Sequence, residues 1–163
     1  MGGLIIKLKR NPNGDTRTAP KDVTFEQFQE ANDMHIRDVS RVMHRLSNLL
    51  FEAGDGHDWT KKFYEENFYD DFMDTIVNGS NFIESGWYKR HINYERHHLL
   101  SRCPDNVDLL DVIEMIVDCV CAGKTRSGGV YPIDIPDDVL KRAVANTVKL
   151  VDDITEVEDE HWI

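Results

Sequence analysis

The chain has 163 residues, 40% of them hydrophobic, and a formal net charge of −11. That length suits one domain, able to bury about 70% of its unfolded surface without covalent staples. The acidic balance argues against a groove that grips long nucleic acid through phosphates, and against an anionic membrane surface, but allows a single nucleotide held by a local cation.

The three cysteines, Cys103, Cys119 and Cys121, are an odd set with two in one helical segment. They read as packing residues of a reducing cytosol, not as a disulfide framework. Cys119 and Cys121 are a poor zinc pair, because positions i and i+2 of a helix face different ways. No apolar run reaches the roughly 18 residues of a membrane span. The start, MGGLIIKLKR, has no long apolar segment, and Ile6 stands where a myristoylation pattern wants Ser or Thr. A cytoplasmic protein without a targeting signal is expected.

Residues 1–23 are predicted to be an N-terminal arm and loop, 24–153 a helical core and 154–163 an acidic, frayed tail, together one all-α domain. Leu4–Leu8 is short and β-branched, and reads as a strand or extended arm. Residues 11–20 hold Pro, Asn-Gly, Asp and Thr and read as a loop. Thr24 with Gln27 three residues on is a capping-box pattern. From Phe25 to Phe51, Ile36, Val39, Val42/Met43, Leu46 and Leu49/Leu50 recur at helical spacing, and His35 is predicted to point inward on that stripe. Gly54-Asp55-Gly56 is predicted to break the helix, with His57-Asp58 just after it. Residues 61–77 resume helical character. A further helix over residues 81–100 is predicted to place Glu84, Trp87, His91, Tyr94/Glu95 and His98 on one face. Residues 108–122 form another, with Asp111, Glu114 and Asp118 on one side of an apolar run. Val130–Ile133 reads as an extended piece able to pair with the N-terminal strand, and Pro136 opens a last amphipathic helix.

Any one histidine in such a chain is most often a satisfied core residue. Here an inward His35, a doublet His57-Asp58 and a carboxylate, Asp118, inside an apolar helix occur together. A buried carboxylate without a partner is costly. A metal would satisfy the histidines and the acid at once; an ion pair of Asp118 with Lys124, Arg126 or a histidine would satisfy the acid alone. Imidazole and carboxylate donors suit a divalent transition ion, Zn, Mn, Fe, Co or Ni.

The order H…HD…D, with a lysine three residues after the aspartate in HDWTK, resembles the HD superfamily of metal-dependent phosphohydrolases. The stretch MHIRDV…HDWTK…WYKRHINYERHHL…LLDVIEMIVDCV, about residues 34–122, resembles an uncharacterised HD-like group encoded by phages and bacteria. The resemblance implies an HD-like helical bundle. His35, His57, Asp58 and Asp118 would hold one metal, His91 and His98 would serve a second, and Lys61 would lie near substrate phosphate. His97, rotated about 100° from His98 on a helix, would serve only if the helix were broken. Asp58 and Lys61 are then the catalytic candidates, Lys61 doubling as substrate binder. Glu114 and Glu95 are candidates for orienting histidines or moving protons.

The implied activity is hydrolysis of a small phosphate ester, foremost a nucleotide, with one or two ions and with homo-oligomerisation open. The same ligands would equally serve an HD-fold di-iron oxygenase. A third reading is a non-enzymatic helical protein that binds a nucleotide or a host protein.

Overall fold

A computed structural model describes residues 5–158. It is mostly α-helical, with one short pair of strands. Leu4 of the expected strand and the tail beyond Glu158 lie outside the described residues. The chain divides into two compact units, one of residues up to Leu49 together with those from Val148 onward, the other of Leu50–Thr147.

In the first unit, strand β1 (Ile6–Lys9) pairs in parallel with β2 (Thr155–Glu158). The register sets Lys7 against Glu156 and Lys9 against Glu158, so opposite charges face each other along the ladder. Lys7 and Glu156 form an ion pair. The tail expected to fray is thus a strand as far as Glu158. Val130–Ile133 is not a strand and does not pair with β1. Helix α1 (Phe25–Gly56) starts at a reciprocal capping box. Gln27 N donates to Thr24 Oγ1 at 3.3 Å, and Thr24 N donates to Gln27 Oε1 at 3.0 Å. The helix does not break at Gly54; it runs on through Gly56.

In the second unit, the end of α1 leads into a short helix α2 (Trp59–Phe63), then α3 (Glu65–Asn78) and α4 (Gly86–Tyr94). The helix expected over residues 81–100 is shorter at both ends, because Ser85 caps α4 through the Tyr88 amide and the chain turns after Tyr94. Helix α5 (Leu109–Ser127) and the first part of α6 (Asp137–Asp153) enclose the core of Leu99, Val107, Val112, Met115, Val139 and Ala143. Ile133 packs against that core, which explains why it is not in a sheet. Gly123 of α5 is needed for packing: a Cβ there would meet the Gly129 carbonyl oxygen at 2.6 Å.

The turn after α4 is tied to the start of α5 by Arg96. Its Nε and Nη2 donate to the two carboxylate oxygens of Asp111, both at 2.7 Å. Asp111, buried, also accepts from the Asp108 amide at 2.9 Å, closing the α5 capping box. Arg96 further donates to Asn106 Oδ1 and to the Asn106 carbonyl, both at 3.0 Å. Charge-assisted hydrogen bonds of this kind contribute roughly 1.5–3 kcal/mol each. Asp111→Ala is expected to lower the unfolding free energy by about 2–3 kcal/mol in urea titration, well beyond the effect of removing an exposed carboxylate such as Asp138.

Candidate metal centre

The site is built around Asp58. It is the only non-glycine residue with positive φ among those described, at φ 56° and ψ 26°. This left-handed conformation is tolerated by Asp better than by most residues, but still costs free energy. It turns the chain between α1 and α2. Asp58 occupies the N-cap position of α2, yet its side chain makes no capping hydrogen bond. Glu95 takes over that work: its Oε1 accepts from the Thr60 amide at 2.9 Å. The Asp58 carboxylate is thereby free to face the interior.

Around it stand imidazole nitrogens. His57 Nε2 is 3.3 Å from Asp58 Oδ2; His91 Nε2 is 3.4 Å and His97 Nε2 3.6 Å from Asp58 Oδ1. His98 Nε2 lies 2.7 Å from His91 Nε2. Asp118 Oδ1 is 3.4 Å from His57 Nε2. Two groups have ligand atoms close enough to hold an ion: His57, Asp58 and His97, and Asp58, His91 and His98. Asp58 belongs to both.

The outer partners set the tautomers. Thr60 Oγ1 donates its only proton to Glu95 Oε1 at 2.6 Å, so its oxygen accepts from His91 Nδ1–H, also at 2.6 Å. His91 Nε2 is then left with a lone pair facing the centre, and His98 Nε2–H donates to it. His57 Nδ1–H donates to Glu114 Oε1 at 2.9 Å, which likewise leaves Nε2 facing Asp58. His97 Nδ1 is also 2.9 Å from Glu114 Oε1, without the angle of a hydrogen bond. Such partners fix ring orientation in metal sites. The His91 plane is set further by stacking on Trp87 at 4.6 Å, and Trp87 stacks on Phe68 at 3.9 Å.

Burial, and then neighbouring His98, hold the His91 pKa down to about 4; burial and then His97 do the same for His98, also to about 4. Both rings are neutral at pH 7. Burial disfavours charge on His97 too, but Glu114 and then Asp58 and Asp118 outweigh it, and its pKa is raised. Burial pushes the Asp58 carboxyl up, and Lys61, His57 and His91 together bring it below its ordinary value. Lys61 contacts Asp58 Oδ2 directly. The Asp58 Oδ1 atom and both nitrogens of His97 are buried without hydrogen bonds. Nitrogen-rich donors, an unsatisfied carboxylate oxygen and three acids against one lysine fit a divalent transition ion.

The structure brings together His57, Asp58, Lys61, His91, His98 and Asp118, and it adds His97. It does not bring in His35. That residue is exposed on α1 in the first unit, lining a groove with Met34, Val39 and Met43. The stripe that suggested an inward histidine is itself exposed there, with Ile36 at 64% and Met43 at 60%. His35 belongs to neither group of ligand atoms that could hold an ion. His97 is the residue that helical spacing set aside. On a helix it could not share a centre with His98, but both follow the last helical residue of α4, and their rings lie 4.4 Å apart. Its signal was the doublet His97-His98 behind a weak helix end.

No family model, no curated protein and no solved structure matches this chain. The site therefore stands on its own geometry. Asp58→Asn keeps the shape and the tolerance for the left-handed region while removing the charge. It is expected to leave the far-ultraviolet circular dichroism intact and to lower bound metal at least tenfold by elemental analysis. His97→Ala should do the same, whereas His35→Ala should keep the wild-type metal content.

Proposed function

We propose that this chain is a metal-dependent phosphohydrolase acting on a small phosphate ester, with nucleotides as the leading substrate class. The observation that carries the reading is the Asp58 carboxylate shared by two converging sets of imidazole nitrogens. What speaks for the HD reading is that His57, Asp58, His91, His98 and Asp118 lie near one another; His35, the first histidine of that reading, is in neither group of ligand atoms, and His97 is the added donor. One or two divalent ions, Zn, Mn, Fe, Co or Ni, suit the donor set. A bound ion would lower the pKa of a coordinated water and polarise a phosphoryl oxygen.

The reaction adds water across the ester. A P–O bond forms to the water oxygen, the P–O bond to the organic group breaks, and the released alkoxide takes up a proton, giving an alcohol and inorganic phosphate. Asp58, His57, His91, His97 and His98 hold the cation. Lys61, now on Asp58 Oδ2, brings a lysine ammonium directly to the cluster. It is placed to turn its charge onto the phosphoryl oxygens once an ion neutralises Asp58. The four imidazoles also suit a pair of irons, so iron content with oxygen uptake, and no phosphate release, would move the assignment to the di-iron oxygenase.

Metal that binds only the folded state adds RT ln(1 + [L]/Kd) to stability. Removing it with chelator is expected to lower Tm by roughly 5–10 °C relative to protein held at a hundredfold excess over Kd, with recovery on re-addition. Lys61→Ala should keep wild-type metal content and lose about 10²–10³ in turnover on nucleotides, read as released phosphate. Unchanged turnover would remove Lys61 from the site.

A further inference from the structure

A cleft of about 360 Å³ opens beside the candidate metal centre, between the last turns of α1 and α5. His57, Glu114 and Asp118 form its polar wall, and Gly54, Ile113 and Val117 are among its apolar lining. His91 and His97 are buried, while the His57 and Asp118 side chains keep 28% and 27% of their exposure. Solvent therefore reaches the centre on the cleft's side. No lysine or arginine lines the cleft, and its charged walls are carboxylates.

Gly54 is the informative residue. It lies within α1, where glycine costs about 1 kcal/mol relative to alanine. Packing does not require it: a Cβ there would meet nothing within 4 Å. Its φ is not positive, so backbone geometry does not require glycine either. The position lines the cleft one helical turn before His57, and a side chain as large as leucine there would take up part of that space.

We propose that this cleft binds the apolar or aromatic body of a phosphate monoester, whose single phosphoryl group sits at the His/Asp centre. The proposal rests on the phosphohydrolase reading and narrows its substrate class. The volume is at the small end of ligand pockets, enough for one ring system. Further phosphates would face Glu114 and Asp118 without a cation, so nucleoside triphosphates are disfavoured against monophosphates.

Gly54→Leu in the metal-loaded protein tests this. The variant is expected to keep its metal content and to melt no lower than wild type, since leucine is the better helix former. The ligands are phenylphosphonate and methylphosphonate, which present the same headgroup and are not hydrolysed. Wild type should bind phenylphosphonate tighter by tenfold or more in calorimetry, and Gly54→Leu should lose that advantage while binding methylphosphonate normally. Cys121, exposed on the cleft, should be protected from alkylation by phenylphosphonate and not by methylphosphonate. Equal affinity for both ligands, or an aromatic advantage that survives Gly54→Leu, would overturn the assignment. Tight phenylphosphonate binding that fails only to accompany phosphate release from monoesters would uphold the pocket and reject the hydrolase.

Discussion

One carboxylate organises the candidate metal centre of this molecule. Asp58 sits at the junction of α1 and α2 in a left-handed conformation that continues neither helix. A left-handed Asp at an N-cap position would ordinarily find its simplest partner in the amides of the following turn. Here the Thr60 amide is served by Glu95, from a distant part of the chain. The consequence is a carboxylate held by backbone geometry and supplied with one lysine, with one oxygen buried and unpaired. Local strain and a missing hydrogen bond at the same residue are the kind of cost that proteins retain at functional positions.

The segment Glu95-Arg96-His97-His98 shows how few residues are needed to hold such a centre. Glu95 caps α2 and, through Thr60, fixes the His91 tautomer. Arg96 fastens the segment to the N-terminus of α5. That fixes the direction in which α5 presents Glu114 and Asp118, which lie about one and two turns beyond Asp111. His97 and His98 fill the space between. Adjacent His97 and His98 can reach one centre only outside a regular helix, which would spread them around its circumference.

Much of this was legible in the sequence. Helical spacing located the long helix, the amphipathic last helix and the acidic face of α5, and the Thr24/Gln27 pattern became a real capping box. The doublet His57-Asp58, the histidines at 91 and 98 and the acid at 118 do converge. What could not be read was which apolar stripe faces a core. Ile36, Val39 and Met43 have the spacing of a buried face and are exposed, so His35 went with them to the wrong side. Glycines at 54 and 56 look like a break, but a helix tolerates them at modest cost, and the real change of direction falls on Asp58, which carries no glycine signal. The role of His97 depended on where α4 ends, and helix ends are set by capping and tertiary contacts that spacing does not encode. The pairing of β1 with the chain's far end is visible afterwards in the match of Lys7 and Lys9 to Glu156 and Glu158, but nothing local selects it over Val130–Ile133.

The strongest rival to a metal is a self-sufficient network of buried charges, and the charges themselves weigh against it. Asp58, Glu114 and Asp118 bring three negative groups to the cluster, and Lys61 brings a permanent cation to it. Histidines could close the difference by protonation, but burial, with His98 beside His91 and His97 beside His98, holds both rings near 4 and neutral at pH 7. His97 is the ring pushed toward the charged form, and it lacks the hydrogen-bond angle to Glu114 that a settled ion pair would show. An ion network complete in itself would leave neither a buried acceptor on Asp58 nor two buried unpaired nitrogens on His97. A divalent cation removes both difficulties together. Held there, it would take the Nε2 lone pair of His91 and, with the His98 proton moved to Nδ1, that of His98; it would satisfy the unpaired oxygen of Asp58 and balance the carboxylates that the lysine alone does not.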